Sequence, residues 1–301
     1  MGIERKALIV ITGPTASGKT SLSVDAALDI KGEVVSADSR QIYKGMDTGT
    51  GKATKEEMKG VPHHLLDVCS VEEEFTVADY KKIAEEKIKE VQERGSVPIL
   101  CGGTGFYIKA VVEGVVMPQV PPNEELRKEL ERKTKEELFD MLSKVDKRRA
   151  EEIEGKNKRK LIRAIEIVEK TGKPVPEIKK EHLPYPVLAL CLDLPLTELE
   201  KKIRKRVEYM IEDGLEKEAE DLFKRNKYLA RETIGYAEWE DYLKGEISIE
   251  EVKEKISVNT LKYAKAQKKW FKKEDYLVYI ENKEEGIEKI NSFLKKEGVL
   301  R

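Results

Sequence analysis

An apolar, β-branched run, Ala7–Thr12, ends in Gly13-Pro14-Thr15-Ala16-Ser17-Gly18-Lys19-Thr20, and a helical pattern over Thr20–Asp29 follows at once. The eight residues fit G-x-x-x-x-G-K-[ST] with a strand before and a helix after, the setting in which that spacing has a physical meaning. Glycines let the main chain wrap an anion with its N–H groups. The helix N-terminus adds its positive end, and Lys19 adds a mobile charge. Gly13, Thr15, Ala16, Ser17, Gly18, Lys19 and Thr20 therefore read as a site for a diphosphate or polyphosphate, with the Thr20 hydroxyl as a ligand for Mg²⁺. The loop does not say which molecule carries the phosphate, nor whether phosphate is transferred.

Further short apolar runs, Glu33–Ser36, Val97–Cys101 and Val187–Leu192, lie on either side of an amphipathic stretch, Thr76–Glu93. That stretch places Tyr80, Ile83, Ala84, Ile88 and Val91 on one helical face. The alternation predicts an α/β fold: a P-loop-like parallel sheet flanked by helices. Three prolines in Met117–Asn123 and two more at Pro184 and Pro186 bracket a helical, heavily charged segment. Within it Thr134 and Glu137 form a capping box, and a stripe in Leu161–Lys170 stops at Gly172-Lys173-Pro174. The economical reading is a helical insertion, 118–186, hung from a core made of 1–117 and 187–301. Beyond Asp193, Thr197 with Glu200 predicts the cap of a helix carrying Leu199, Ile203, Val207, Met210 and Ile211. Ser248 with Glu251 predicts another carrying Val252 and Ile256.

The formal net charge of −1, with 38% charged residues, argues against indiscriminate binding of polyanions and leaves room for local basic patches. One set is Lys144, Lys147, Arg148, Arg149, Lys156, Lys158, Arg159, Lys160 and Arg163, interrupted by acids. A second, Lys262, Lys265, Lys268, Lys269, Lys272 and Lys273, lies in a stretch without Asp or Glu and interleaves with Tyr263, Trp270 and Phe271. Positive charge with aromatics suits phosphate contact and base stacking; a solvated face is the alternative. Cys69, Cys101 and Cys191 are too far apart for a CxxC pair, and His63, His64 and His182 show no metal-ligand spacing. Buried, reduced cysteines in a soluble, cytoplasmic protein with no membrane span are the expectation.

Asp38 stands just past the end of the Glu33–Ser36 run, in Ser36-Ala37-Asp38-Ser39-Arg40-Gln41. A carboxylate at that edge of a parallel sheet can take a proton from a nucleophile or bind Mg²⁺ through water. It can equally cap a helix. Gly49, Gly51 and Gly60 mark Thr48–Pro62 as a loop over the site. Cys101-Gly102-Gly103-Thr104-Gly105 is a second glycine turn after a strand. It reads either as a close backbone approach with a ligand-facing Thr104 hydroxyl or as a plain strand-to-helix turn.

Taken in order, GPTASGKT at Gly13–Thr20, DSRQIY at Asp38–Tyr43, HHLLDV at His63–Val68, FTVADY at Phe75–Tyr80, GGTGFYIKA at Gly102–Ala110 and RAIEIVEKTGKP at Arg163–Pro174 form a joint pattern. IGY at Ile234–Tyr236 and a YAK-Q-WF pattern in Tyr263–Phe271 complete it. On these motifs the chain resembles the bacterial tRNA dimethylallyltransferase (tRNA isopentenyltransferase) family over nearly its whole length. It departs from the family at Ala266, where arginine is frequent, and at Thr260-Leu261-Lys262.

The resemblance implies a prenyltransferase. It would move a dimethylallyl group from dimethylallyl diphosphate to the exocyclic amine of the adenosine 3′ of the anticodon, in tRNAs reading codons that begin with U. By motif position Asp38 would be the general base, with Thr104 and Arg206 completing the catalytic set. Arg206, or the neighbouring Arg204, would bind diphosphate. Ser39, Arg40 and Gln41 would contact the extruded adenosine and its neighbours. Thr104, Arg127, Arg159, Lys160, Leu161, Ile162 and Arg163 match tRNA-contacting positions, so the insertion would grip the anticodon stem-loop. The enzyme would be a cytoplasmic monomer using Mg²⁺. The rival from the residues alone is a P-loop nucleotide or small-metabolite kinase.

Overall fold

A computed structural model describes residues 6–116, 118, 120–153, 156–177, 179–181 and 183–300. It forms two compact units: Met1–Glu113 together with His182–Arg301, and Gly114–Glu181.

The larger unit is built on β1 (Leu8–Thr12), β2 (Gly32–Ser36), β3 (His63–His64), β4 (Val97–Cys101), β5 (Val187–Leu192) and β6 (Leu277–Ile280). They form one sheet in the order β3-β2-β4-β1-β5-β6, every pair parallel. Every residue of β1, β2 and β4 is buried. Helices cover both faces of such a sheet, which is why β1 and β4 read as largely apolar runs rather than alternating ones, while β2 carries one buried acid, Glu33. The helix Lys19–Ile30 follows β1 directly and the helix Val77–Glu93 precedes β4. In the second, Thr76 and Asp79 form a capping box, and Tyr80, Ala84, Ile88 and Val91 are buried.

Several sequence expectations need correction. Strands β3 and β6 carry no clear sequence signal, since β3 is two residues long and β6 exposes its two central residues. Thr197 and Glu200 do not cap a helix. The helix Leu196–Glu212 starts earlier, directly after Pro195, whose fixed φ suits a helix entrance. The loop Thr48–Pro62 contains one helical turn, Lys55–Met58, capped by Thr54 with Glu57. The three cysteines are buried and free, as expected. Among the described residues no helix is long and apolar enough to cross a membrane.

The Gly114–Glu181 unit has a small core of its own, in which Leu130, Leu138, Leu142, Leu161 and Ile165 meet. Its two ends come together where Val115 and Lys180 form an antiparallel bridge. Asn123 N–H and the Arg127 and Arg163 guanidinium groups all donate to Glu166, a carboxylate buried among these helices. A buried charge needs such complete pairing.

A second buried carboxylate ties the sheet edge of the larger unit together. Glu33 of β2 accepts from His64 Nε2 of β3 (2.7 Å) and from Arg94 Nη2 (2.7 Å) at the end of the helix Val77–Glu93. Burial by itself would raise the Glu33 carboxyl, but the bonds from Arg94 and His64 outweigh it and hold it at about 2, against an ordinary 4.5. A carboxylate held below its unfolded value stabilises the fold above that value and loses the contribution as pH falls through the folded one. Glu33→Gln should therefore flatten the acid-side decline in melting temperature between pH 4.5 and about 2. At neutral pH it should lower the melting temperature by roughly 2–6 °C. Thermal melts followed by circular dichroism across that range check both statements; parallel declines for the two proteins would mean the pairing adds nothing.

Candidate active site

The turns after β1, β2 and β4 leave the sheet at its carboxyl edge, where open parallel sheets bind ligands. With the helices Leu196–Glu212 and Ile249–Phe271 they surround a cavity of about 1020 Å³. Thr15, Ala16, Gly18, Lys19, Thr20, Asp38, Ser39, Arg40, Gln41 and Arg206 line it. Residues scattered over nearly 200 positions of sequence thus share one space.

The phosphate loop keeps its shape through two special glycines. Gly13 has φ 143°, and a Cβ there would lie 2.4 Å from the Leu192 carbonyl oxygen of β5. Gly18, at φ 100°, opens the helix Lys19–Ile30. Lys19 Nζ donates to the Pro14 carbonyl (2.8 Å), while the buried Ser17 hydroxyl has no hydrogen-bond partner among the described residues. Burial draws the Lys19 ammonium below its ordinary 10.5, a cost that the neighbouring Asp38 carboxylate partly offsets. A bound anion would offset more of it. Thr20 is exposed at the same helix start.

Asp38 holds the turn that follows β2. Its Oδ1 accepts from Arg40 N–H (2.9 Å) and Gln41 N–H (3.3 Å), so one oxygen holds a turn; no helix follows there. Its Oδ2 accepts no hydrogen bond among the described residues and remains available to a ligand. The second glycine turn fixes this segment from behind. A Cβ on Gly102 would lie 2.1 Å from the Ala37 carbonyl oxygen, so only glycine fits. Thr104 N–H donates to Ala37 (3.1 Å), and Thr104 Oγ1 accepts from Ser39 N–H (2.9 Å). The Thr104 hydroxyl is therefore engaged with Ser39 in this structure. Tyr80, stacked on Tyr107 at 3.8 Å, donates its hydroxyl proton to the Ser36 carbonyl (2.9 Å).

The two candidate arginines part company. Arg206 lies against Gly51 and donates from Nη2 to the Thr50 carbonyl (3.1 Å). Burial draws its guanidinium down from the ordinary arginine value, and Asp38 and then Glu57 oppose this. Arg204 points to the exposed side of the same helix, paired with Glu254 (2.6 Å) and Glu200 (3.4 Å). Of the two, only Arg206 lines the cavity.

Sequence reasoning assigned no role to Gln267. Its Oε1 accepts from Thr15 N–H of the phosphate loop (2.8 Å), and its Nε2 donates to the Gly103 carbonyl (2.9 Å). One amide thus joins both glycine turns. The available signal was a polar residue sharing a helical face with Ala264 and Phe271, three and four residues away and both buried. That same face corrects the aromatic stripe. Phe271 belongs to the core, and Trp270 packs on Gly105, where a Cβ would lie 2.3 Å from its ring. Lys268 is paired with Asp193 and donates to the Leu194 carbonyl. Of the three aromatics, Tyr263 lines the cavity.

In the Gly114–Glu181 unit, Arg127 and Arg163 are both bound to Glu166, and Leu161 and Ile162 turn into that unit's core. Arg159 and Lys160 are exposed at the start of the helix Lys158–Thr171. No group of three His, Cys, Asp or Glu side chains suited to a metal exists among the described residues.

The family model described as IPP transferase matches residues 41–274. The chain is 42% identical over 283 residues to the tRNA dimethylallyltransferase of Caldanaerobacter subterraneus, covering 90% of each. It is 42% identical over 270 residues to that of Gloeothece citriformis, covering 88% of each. Among solved structures it is similar to the full-length tRNA isopentenylpyrophosphate transferase of Bacillus halodurans, at 38% identity and a TM-score of 0.72, covering 97% of both chains. It is also similar to a eukaryotic dimethylallyltransferase captured acting on tRNA, at 27% identity and a TM-score of 0.77, covering 92% of this chain and 74% of that one.

The Gln267 bridge gives a direct test of the site's construction. Gln267→Ala leaves the Thr15 N–H and the Gly103 carbonyl without their partner, and each such group costs roughly 1–3 kcal/mol where water cannot replace it. Urea unfolding should show a loss in that range. Gln267→Glu keeps an acceptor for Thr15, loses the donor to Gly103 and adds a negative charge beside an anion loop, so it should lose at least as much. Wild-type stability in both variants would mean the bridge is incidental.

Proposed function

The chain belongs to the IPP transferase family, and we propose that it transfers a dimethylallyl group from dimethylallyl diphosphate to the exocyclic amine of the adenosine 3′ of the anticodon, in tRNAs reading codons that begin with U. The observation that carries this reading is one cavity holding a glycine-rich loop with Lys19, a half-buried arginine and a carboxylate with one oxygen unpaired among the described residues. The amine nitrogen forms a bond to the allylic carbon, the bond from that carbon to the diphosphate oxygen breaks, and the proton lost from nitrogen goes to Asp38. An aryl amine is a weak nucleophile, so the reaction leans on the leaving group. Negative charge grows on the departing diphosphate, beside the loop N–H groups, Lys19 and Arg206.

The adenosine must leave its stack to reach such a cavity, at a cost of about a few kcal/mol that is smaller in a loop than in a duplex. Ser39, Arg40 and Gln41 line the same cavity as Asp38 and would receive it. Exposed Arg159 and Lys160 would meet RNA phosphates, while Arg127 and Arg163 contribute through the scaffold around Glu166. A tRNA substrate fits an enzyme of the cytoplasm. A magnesium ion fits the donor set: a single exposed hydroxyl, Thr20, suits a hard cation that completes its shell with diphosphate oxygens and water. Such an ion would help neutralise the leaving group. Prenyl transfer is favoured over phosphoryl transfer by the relatives, which are named tRNA dimethylallyltransferases.

Asp38→Asn tests the reading. Asn still accepts through Oδ1 from Arg40 and Gln41, so the turn survives, but it cannot take the proton. Single-turnover rates at saturating tRNA and donor should fall about 10²–10⁴-fold, with both affinities within a few-fold of wild type. A rate within about threefold of wild type would leave Asp38 as a turn-former only and send the search for the base elsewhere.

A further inference from the structure

The Ile234–Tyr236 motif takes no part in the reaction described, yet it is locked against the loop that carries Arg206's partner. A Cβ on Gly49 would lie 2.5 Å from the Tyr236 ring, and one on Gly235 would lie 2.9 Å from the Gly49 carbonyl oxygen. A Cβ on Gly51 would strike the Arg206 guanidinium at 1.4 Å. Between these glycines the Thr50 carbonyl accepts from Arg206 Nη2 (3.1 Å) and from Gln41 Nε2 (3.3 Å).

One side chain gathers three consecutive amides of this loop. Glu218, half-buried on the helix Leu215–Arg225, accepts through Oε2 from Asp47 N–H (3.2 Å) and Thr48 N–H (2.9 Å). Through Oε1 it accepts from Gly49 N–H (2.8 Å) and from the Tyr236 hydroxyl (2.7 Å). Three consecutive amides pointing at one spot form a concave anion-binding surface, and here a protein carboxylate fills it permanently. Recognition of a phosphate by arginine depends on the orientation of a planar fork, so the surface behind the fork matters.

We propose that Glu218, with Tyr236, is a positioning residue for the donor: by clamping Asp47–Gly49 it fixes the Thr50 carbonyl and the Gly51 face against which the Arg206 guanidinium is set toward diphosphate. The inference rests on the reading of Arg206 as a diphosphate ligand. Calorimetric titration with inorganic pyrophosphate separates the two. Arg206→Ala should weaken pyrophosphate binding roughly 10–100-fold, the worth of a charged hydrogen bond. Glu218→Ala should weaken it about 3–10-fold and Glu218→Gln less, since Gln keeps one acceptor. In the Arg206→Ala background, Glu218→Ala should add nothing, because it acts through the arginine. Binding of tRNA by the Glu218 variants should stay at the wild-type level, which a general loss of folding would not allow. If the alanine variant does not fold, Glu218→Gln and Tyr236→Phe carry the same comparison. Wild-type pyrophosphate affinity in the Glu218 variants, or an additive double variant, overturns the inference while the diphosphate reading stands. Unchanged affinity in Arg206→Ala overturns both.

Discussion

The main chain of Gly102 presses on the main chain of Ala37, and the placement of the reacting groups follows from that contact. Backbone meets backbone there at a distance that leaves no space for a side chain. Around it Ala37 N–H donates to Cys101 (2.8 Å), Thr104 N–H donates to Ala37, and the Thr104 hydroxyl receives Ser39 N–H. The chain after β2 therefore has little freedom in where it turns, and Asp38 sits at the start of that turn. Gln267 extends the same frame to the phosphate loop by joining Gly103 to Thr15. Catalytic geometry of this kind is held by interactions remote from the reacting atoms, and small displacements in it are expensive.

The electrostatics are arranged on this frame. Lys19 and Arg206 are both half-buried, and loss of water disfavours the charge of each; Asp38 is an opposing charge common to both. The rest of the lining carries both signs, with Arg40, Lys52 and Lys202 set against Glu57, Glu212, Asp213 and Glu232. Lys19 and Arg206 beside the phosphate loop suit a leaving group that becomes more negative as the reaction proceeds. Elsewhere the same chain keeps buried acids fully occupied: Glu33 by Arg94 and His64, Glu166 by Arg127 and Arg163. Asp38 differs from those satisfied carboxylates: one of its oxygens holds a turn, and the other accepts no hydrogen bond among the described residues.

Much of the sheet was legible in the chain itself. Of the strands buried on both faces, β1, β4 and most of β5 are largely apolar runs closed by glycine or aspartate, and β2 sets Val34 and Val35 beside the paired Glu33. Two capping boxes, at Thr134 and Ser248, were equally legible because a cap is a local interaction. The short edge strands were not, because two or four residues carry too little periodicity to stand out. Thr197 misled because a plausible cap is visible in sequence, whereas the earlier start at Pro195 is set by where β5 delivers the chain.

For the site the division is sharper. The sequence by itself determined an anion loop with its glycines, an acid at a strand end and a second glycine turn, because each is a local pattern whose chemistry is carried by adjacent residues. Tertiary structure alone decided which of Arg204 and Arg206 faces the cavity, since two positions on a helix differ by a rotation that only packing against the sheet resolves. It alone turned Trp270 and Phe271 inward, against an expectation drawn from composition. It alone made Gln267 and Glu218 structural partners of loops 252 and about 170 positions away. A single amide or carboxylate has no signature in sequence, because its meaning comes from the unpaired main-chain groups that the fold brings within its reach.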